Sequence, residues 1–346
     1  MRNIIHIGII GYGYWGPNLV RNFSEIPGVQ VKIVSDFKPE LLAKVQARYP
    51  KIDVTTDCRD IFKDPSIDAV VIATPVSSHF HLALAALQHG KHVLVEKPMT
   101  VSSEQAIRLI DEAEKRNLVL MVDHTFVYTG AVRKMRELVA TKAIGDVYYY
   151  DSVRVNLGLF QHDVNVIWDL AVHDLSIMNY VLGTQPYGVS ATGMNHVPGE
   201  PENIAYLTLF FEGNLMAHIH VNWLAPVKVR RTLIGGSQKM IVFDDLEPSE
   251  KLKVYDKGIT LNGNTEESIY KMLIGYRTGD MWAPHLDVTE ALRTEGLHFI
   301  DCIKTGKTPI TDGEAGLQVV RILEAATQSM KKQGRLIELD LAEVAA

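Results

Sequence analysis

An apolar, β-branched run from Ile4 to Ile10 leads directly into Gly11, Gly13 and Gly16, and then into a segment of helical character beginning near Trp15. Strand, G-x-G-x-x-G turn and helix in succession leave few folded solutions. The first glycine permits a tight turn, the second lets the backbone approach a pyrophosphate, the third lets helix and strand pack closely, and the helix N-terminus faces the anion. Asp36 follows Gly16 by twenty positions, at the end of a second apolar run from Val29 to Ser35. A carboxylate there accepts hydrogen bonds from an adenosine ribose diol. It also repels a 2′-phosphate, which favours NAD over NADP, while Lys38 nearby leaves NADP as the alternative.

The rhythm repeats along the first third of the chain. Helical patterns over Lys38 to Arg48, His79 to His89 and Ser102 to Arg116 alternate with apolar strands at Ala69 to Ala73, His92 to Val95 and Leu118 to Val122. These strands are apolar throughout, as burial on both faces of a parallel sheet demands. The expected fold is α/β: a Rossmann doubly wound parallel sheet over residues 1–123. Beyond about residue 145 the segments become strand-like: Val147 to Val155, Tyr187 to Thr192, Ile204 to Phe211, Leu215 to Trp223, Val229 to Ile234 and Met240 to Phe243. Glu212-Gly213-Asn214 is a hairpin signal between two of them. With one long helical pattern at Val166 to Leu182, residues 124–346 predict an α+β domain with a mostly antiparallel, open sheet. The helical stretches Leu286 to Lys304 and Ala315 to Lys331 are able to pack back on the first domain.

Length agrees, since 346 residues at roughly 150 per domain favour two domains. Lys and Arg total 35 against 41 Asp and Glu, a net charge of −6, which argues against nucleic acid or an anionic membrane as partner. Cys58 and Cys302 have no metal-type spacing and make no disulfide framework. His79-x-His81 and His218-x-His220 have the spacing of metal ligands, but without a carboxylate or cysteine at a recognised distance no metal site is expected. The N-terminal apolar run is broken by glycines and lacks a cleavable small-residue site, so it reads as a buried strand and the protein as cytoplasmic.

Glu96-Lys97-Pro98, preceded by Ala73-Thr74-Pro75 and His79, resembles the Gfo/Idh/MocA family of sugar and cyclitol oxidoreductases. Asp169-Leu170-Ala171-Val172-His173-Asp174 is similar to that family's D-x-x-x-H signature. The stretch from Asn156 to Ser176, the loop form GYGYWGPNLVRN and WLAPVKVRR from Trp223 to Arg231 resemble its nucleotide-sugar 3-dehydrogenase branch. The likeness runs from Ile4 to about residue 330. It implies NAD-dependent oxidation, at C3, of a UDP-activated N-acetylamino sugar such as UDP-N-acetylglucosamine or its uronic acid. Within it, Lys97 hydrogen-bonds the reacting hydroxyl, His173 is the acid/base, and Asp169 holds substrate or orients the histidine. Gly11, Gly13, Tyr14, Trp15, Gly16, Asp36, Thr74, Pro75, His79, Glu96 and Lys97 would bind the cofactor. The family also implies a homo-oligomer, dimer or tetramer, formed through the second domain's sheet. Alternatives are an inositol or free-sugar dehydrogenase, an NADPH-dependent 3-ketosugar reductase, and a non-catalytic NAD-binding regulator.

The assignments make independent chemical sense. Hydride loss from a secondary alcohol needs a base near neutrality, where histidine titrates. An ammonium beside the same oxygen favours the alkoxide. The i, i+4 spacing puts Asp169 and His173 on one face of the predicted helix. Further candidates for the substrate are Arg154 and Asn156, which alternate on one strand face, Asn165, and the pair Lys228 and Arg230, suited to a diphosphate or carboxylate. A solvated strand edge is the other reading of that pair.

Overall fold

The computed structural model describes residues 4–158, 164–261 and 274–339. The chain divides into two compact units, Met1–Thr129 with Thr289–Arg321, and Gly130–Val288 with Ile322–Ala346.

In the first unit β1 (Ile5–Ile10), β2 (Val29–Ser35), β3 (Asp53–Thr55), β4 (Ala69–Ile72), β5 (His92–Glu96) and β6 (Leu120–Asp123) form one sheet in the order β3-β2-β1-β4-β5-β6. Every pairing is parallel. The uniformly apolar strands are explained by two-sided burial: Ile7, Ile9, Val70, Ile72, Val93 and Val95 are closed to solvent. Helices α1 (Gly16–Ser24), α2 (Pro39–Arg48), α3 (Arg59–Lys63), α4 (Val76–Gln88) and α5 (Ser103–Lys115) make the crossovers. Helix α5 starts where Ser102 Oγ accepts from the Gln105 N–H at 3.3 Å, and it buries Ala106, Leu109, Ile110 and Ala113, its i, i+3, i+4, i+7 stripe. Strand order reverses between β1 and β4, so the crevice at their carboxyl ends is the ligand-binding position of such a sheet.

The first unit also holds the short turn Thr125–Tyr128 and a helix from Ala291 to Thr305. A boundary at 123 therefore separates residues that pack together. Tyr128 Oη lies 2.9 Å from Thr311 Oγ1, Phe299 packs edge-on against Phe23 at 6.4 Å, and Arg21 grips Glu290 with two nitrogens at 3.0 and 2.6 Å.

The second unit contains α6 (Gly130–Ala140), a π-helical turn Ile167–Ala171, α7 (Val172–Leu182) and the remaining described strands. These strands are β7 (Val147–Leu157), β8 (Gly188–Met194), β9 (Ile204–Phe210), β10 (Met216–Asn222), β11 (Leu224–Gly236), β12 (Met240–Asp244), β13 (Leu252–Tyr255), β14 (Gly258–Leu261), β15 (Ile274–Arg277), β16 (Met281–Trp282) and β17 (Ile337–Glu338). The last two helices of the chain are α8 (Ala291–Thr305) and α9 (Gly313–Lys331), the unit division passing through α9. Nine strands form a sheet ordered β16-β13-β12-β11-β7-β10-β9-β8-β17, antiparallel except that β10 runs parallel to β7. The hairpin at Gly213 joins β9 to β10, with that glycine at φ +77°. Alternation sorts the faces: Ala205, Leu207 and Leu209 of β9 and Ala217, Ile219 and Val221 of β10 are buried, whereas Tyr206 and Met216 are exposed.

Two features of this unit differ from the sequence expectation. Helix α6 is unforeseen, lying between the βα rhythm and the strand-rich region. The helix expected over Val166 to Leu182 is instead a π turn followed by α7, so α-helical i, i+4 spacing does not hold through Asp169.

Candidate active site

The glycine loop is a consequence of backbone crowding. Gly11 sits at φ +98°, and a Cβ on it would lie 2.3 Å from the Ala73 carbonyl oxygen. A Cβ on Gly16 would lie 2.2 Å from the Gly11 oxygen. Both positions reject every other residue. At Gly13 the opposite holds: a Cβ would meet nothing within 4 Å, so the start of α1 is bare backbone beside open space. That is the room a pyrophosphate needs at a helix N-terminus. Asp36 is fixed at the same place, its Oδ2 accepting from Tyr12 N at 2.7 Å and its Oδ1 from Lys38 N at 2.9 Å. Carboxylate oxygens have further lone pairs for a ribose diol. The residues present therefore fit a dinucleotide.

The aromatic pair in the loop divides its work. Tyr14 is 92% exposed and stacks on Trp15 at 6.5 Å, while Trp15, the N-cap of α1, donates its indole N–H to Asp123 Oδ2 at 3.2 Å. Thr74 accepts from Ser78 Oγ at 2.7 Å, and Pro75 caps α4. His79 is placed differently from a ligand-facing residue. It is buried, with Nδ1 2.8 Å from the Pro98 carbonyl and Nε2 2.7 Å from the Thr74 carbonyl, so the ring lies between the loops after β4 and β5 and the neutral imidazole donates to one of the two carbonyls. Burial holds its pKa below the usual histidine value.

At the ends of β5 and β6, Glu96 and Asp123 are register partners. Glu96 Oε2 accepts from Lys97 N at 2.9 Å, and its carboxyl is in contact with that of Asp123. Burial first, and then the Asp123 charge, raise the Glu96 pKa well above the carboxylate range. Glu295 of α8 is fully buried and also meets Asp123; the same causes in the same order raise its pKa. His124, buried beside Lys97, is pushed down to about 3, chiefly by loss of solvent.

In the second unit Asp169 lies in the π turn and accepts the indole N–H of the fully buried Trp223 at 3.0 Å. His173 is half-buried in the first turn of α7. Four substrate candidates are occupied elsewhere or set apart. Arg154 is 3% exposed, its Nε 2.5 Å from Asp174 Oδ2, with Ser152 Oγ donating to Asp174 Oδ1 at 2.6 Å; it neutralises a buried carboxylate, since an unpaired one is costly. Asn165 caps the π turn, its Oδ1 accepting from Trp168 N at 3.4 Å, and its amide donates to Glu202 at 3.3 Å. Arg230 is 3.3 Å from Asp245, and Lys228 is exposed in the irregular stretch of β11 between Leu224 and Val229. That irregularity breaks the simple alternation that would pair them. Asn156 remains half-exposed near the end of β7. His218 lies 3.4 Å from Asp151, and both His218 and His220 stack on Tyr206. Among the described residues no group of three or more His, Cys, Asp and Glu is arranged to hold a metal ion.

Comparison with known families places these features. The N-terminal oxidoreductase family with an NAD-binding Rossmann fold matches residues 5–124, and the corresponding C-terminal alpha/beta domain matches residues 136–339. The chain belongs to the Gfo/Idh/MocA oxidoreductase family. It is thus an NAD-binding oxidoreductase. The UDP-N-acetylglucosamine 3-dehydrogenase of Acidithiobacillus ferrooxidans is 29% identical to this Gfo/Idh/MocA protein, over 94% of this chain and 96% of its own. A scyllo-inositol 2-dehydrogenase (NAD(+)) of Bacillus subtilis is 24% identical over 98% and 96%. A levoglucosan dehydrogenase in complex with NADH and levoglucosan shares the fold at TM-score 0.83 and 21% identity, covering 97% of this chain and 99% of that one. No helix among the described residues is long and apolar enough to cross a membrane.

Sequence inspection alone missed Asp123, Glu295, Asp174 and Trp223. Two had a visible signal. Asp123 ends a parallel strand, as Glu96 does, where functional groups collect. Glu295 sits on the buried face of α8 with Leu292, Gly296 and Phe299, a place where an acid is out of pattern. Asp174 and Trp223 earn their roles from partners distant in the chain.

Proposed function

We propose that this oxidoreductase removes hydride from a secondary hydroxyl, at C3, of a UDP-activated N-acetylamino sugar or its uronic acid. The observation that supports this most is near full-length similarity to a UDP-N-acetylglucosamine 3-dehydrogenase, at 29% against 24% for the inositol enzyme. Gly11, Gly13 and Gly16 present α1 to the pyrophosphate, and Asp36 takes the adenosine ribose. Bound NAD supplies the hydride acceptor. Lys97 hydrogen-bonds the reacting oxygen and lowers the cost of alkoxide character. His173 takes the hydroxyl proton, and Asp169, steadied by the Trp223 indole, holds the sugar or orients the histidine. Pairing of the exposed face of the second unit's sheet with another copy of the chain belongs to the same reading.

The second reading, a free-polyol dehydrogenase, is favoured by the inositol relative's coverage. A panel of UDP sugars, myo-inositol and other free polyols with NAD and NADP, followed at the reduced-nicotinamide absorbance, decides between them. Reduction of NAD by a UDP-N-acetylhexosamine, with none from myo-inositol, is the expected result. The reverse outcome assigns the polyol activity, and NADPH consumption with 3-keto sugars alone assigns a reductase.

A further inference from the structure

The carboxyls at the ends of β5 and β6 are more than a structural oddity, because of what they touch. Asp123 is the hub. It accepts the Trp15 indole N–H at 3.2 Å on Oδ2 and the Thr125 hydroxyl on Oδ1, and it meets the carboxyls of Glu96 and Glu295. Both oxygens of Glu295 are shut away from solvent, and its carboxyl meets that of Asp123 and the Thr125 hydroxyl. Two carboxyls in contact need a proton between them, since like charges so close in a dry site cannot both persist. The groups facing the cluster add little compensating charge. Lys97 faces Glu96 and His124, the buried His124 is neutral, and Tyr128, an uncharged acid, lies next to Glu295 and Cys302.

We propose that Glu96, Asp123 and Glu295 form a proton-bearing latch that holds Trp15, and with it the cofactor loop, so that NAD(H) affinity depends on the latch keeping its protons. The proposal rests on the reading that the pyrophosphate sits on the Gly11–Gly16 loop. Trp15 is the N-cap of α1, and its carbonyl accepts from Asn18 N at 2.9 Å and Leu19 N at 3.3 Å, so moving the indole moves the helix start that would receive the pyrophosphate. With protons on Glu96 and Glu295, both carboxyls can donate to Asp123, which also receives the Trp15 indole N–H and the Thr125 hydroxyl. When one of those protons leaves to solvent, two adjacent carboxylates repel, water is drawn in, and the Trp15 anchor slackens. Asp123 is in this sense a positioning residue.

Titration of NADH fluorescence against the full-length protein from pH 6 to pH 10 tests it. Wild type should show an alkaline limb in which the apparent Kd rises about tenfold per pH unit, the signature of one linked proton. Glu295→Gln donates to Asp123 through its amide but has no proton to lose. It should bind within about twofold of wild type at pH 7, by analogy with an isosteric hydrogen-bond replacement, and shift or lose the limb. Trp15→Phe, on a half-exposed side chain whose loss should leave the fold intact, should weaken binding at pH 7 and abolish the limb. A flat wild-type profile overturns the latch, as does a Glu295→Gln limb superimposable on wild type, which would put the titration on Lys97 or elsewhere. Gly13→Val is the separate control for the loop: if it binds NADH like wild type, the placement of the cofactor fails, and the latch with it.

Discussion

The two units build their functional geometry from different materials. In the first, position is dictated by main chain: Gly11 and Gly16 leave no room for a Cβ, and Gly13 leaves open space beside the start of α1. In the second, position is dictated by side-chain pairs across the sheet and helix, Asp169 with Trp223 and Arg154 with Asp174. Backbone constraints leave a mark in the local sequence, because one residue type satisfies them. Side-chain pairs separated by 54 and 20 positions leave none. The contrast also separates binding from chemistry, and mutations can be chosen to break it.

The largest effect is expected at His173. His173→Asn should lower kcat by about 10²–10⁴-fold, the usual worth of a positioned acid/base, with NADH affinity unchanged by fluorescence titration. A variant that turned over a good substrate at the parental rate would remove the base from the second unit. Next comes the pair behind it. Arg154→Met strands the Asp174 carboxylate in a dry site and should destabilise the protein by about 3–5 kcal/mol in urea unfolding. Adding Asp174→Leu should recover most of that loss, because the penalty lies in the orphaned charge. If Arg154→Met were neutral to stability but raised KM, Arg154 would be a substrate ligand after all.

The first unit gives a split result if its geometry is main-chain in origin. Gly11→Ala should cost stability, about 1–3 kcal/mol, from a positive φ together with a 2.3 Å contact on Ala73. Gly13→Ala, whose Cβ meets nothing, should leave unfolding unchanged and weaken NADH binding about tenfold, a loss near 1.4 kcal/mol. Equal losses of stability in both variants would mean that Gly13 is structural and the open space incidental.

This division explains how much was legible in advance. The parallel sheet, its glycine loop and Asp36 followed from apolar runs, glycine spacing and the β/α rhythm, all local signals. The second unit's main strands were legible for the same reason, each lying close to its alternating or apolar run. The Asp174 partner of Arg154 was not legible, because a strand pattern tells which face a residue takes but not which helix residue waits there. The π turn at Ile167–Ala171 was invisible, since its sequence IWDLA reads as ordinary helix. Glu295 and Asp123 needed the tertiary fold to bring α8 to the sheet.

His124 offers the smallest but most direct reading of the first unit's dryness. Its ring nitrogens are buried without hydrogen-bond partners among the described residues, and its pKa is pushed down to about 3 against an ordinary 6.5. The unfolded chain therefore takes up a proton that the folded chain refuses. For a depressed folded value, the contribution to stability is complete above the unfolded pKa and is lost as pH falls towards the folded one, a window from about 6.5 down to about 3. Between pH 6.5 and 5.5 this one group should cost about 1 kcal/mol, the slope steepening towards about 1.4 kcal/mol per unit below that. Glu96 and Glu295 run the other way. Their raised values favour the folded state most below the ordinary carboxylate pKa, and that advantage drains away as pH rises. His124→Gln should remove the first slope and leave the second, in urea unfolding measured from pH 4 to pH 9. If His124→Gln kept the parental acid slope, the imidazole would be charged in the folded protein and the dryness of its site would not be what sets the slope.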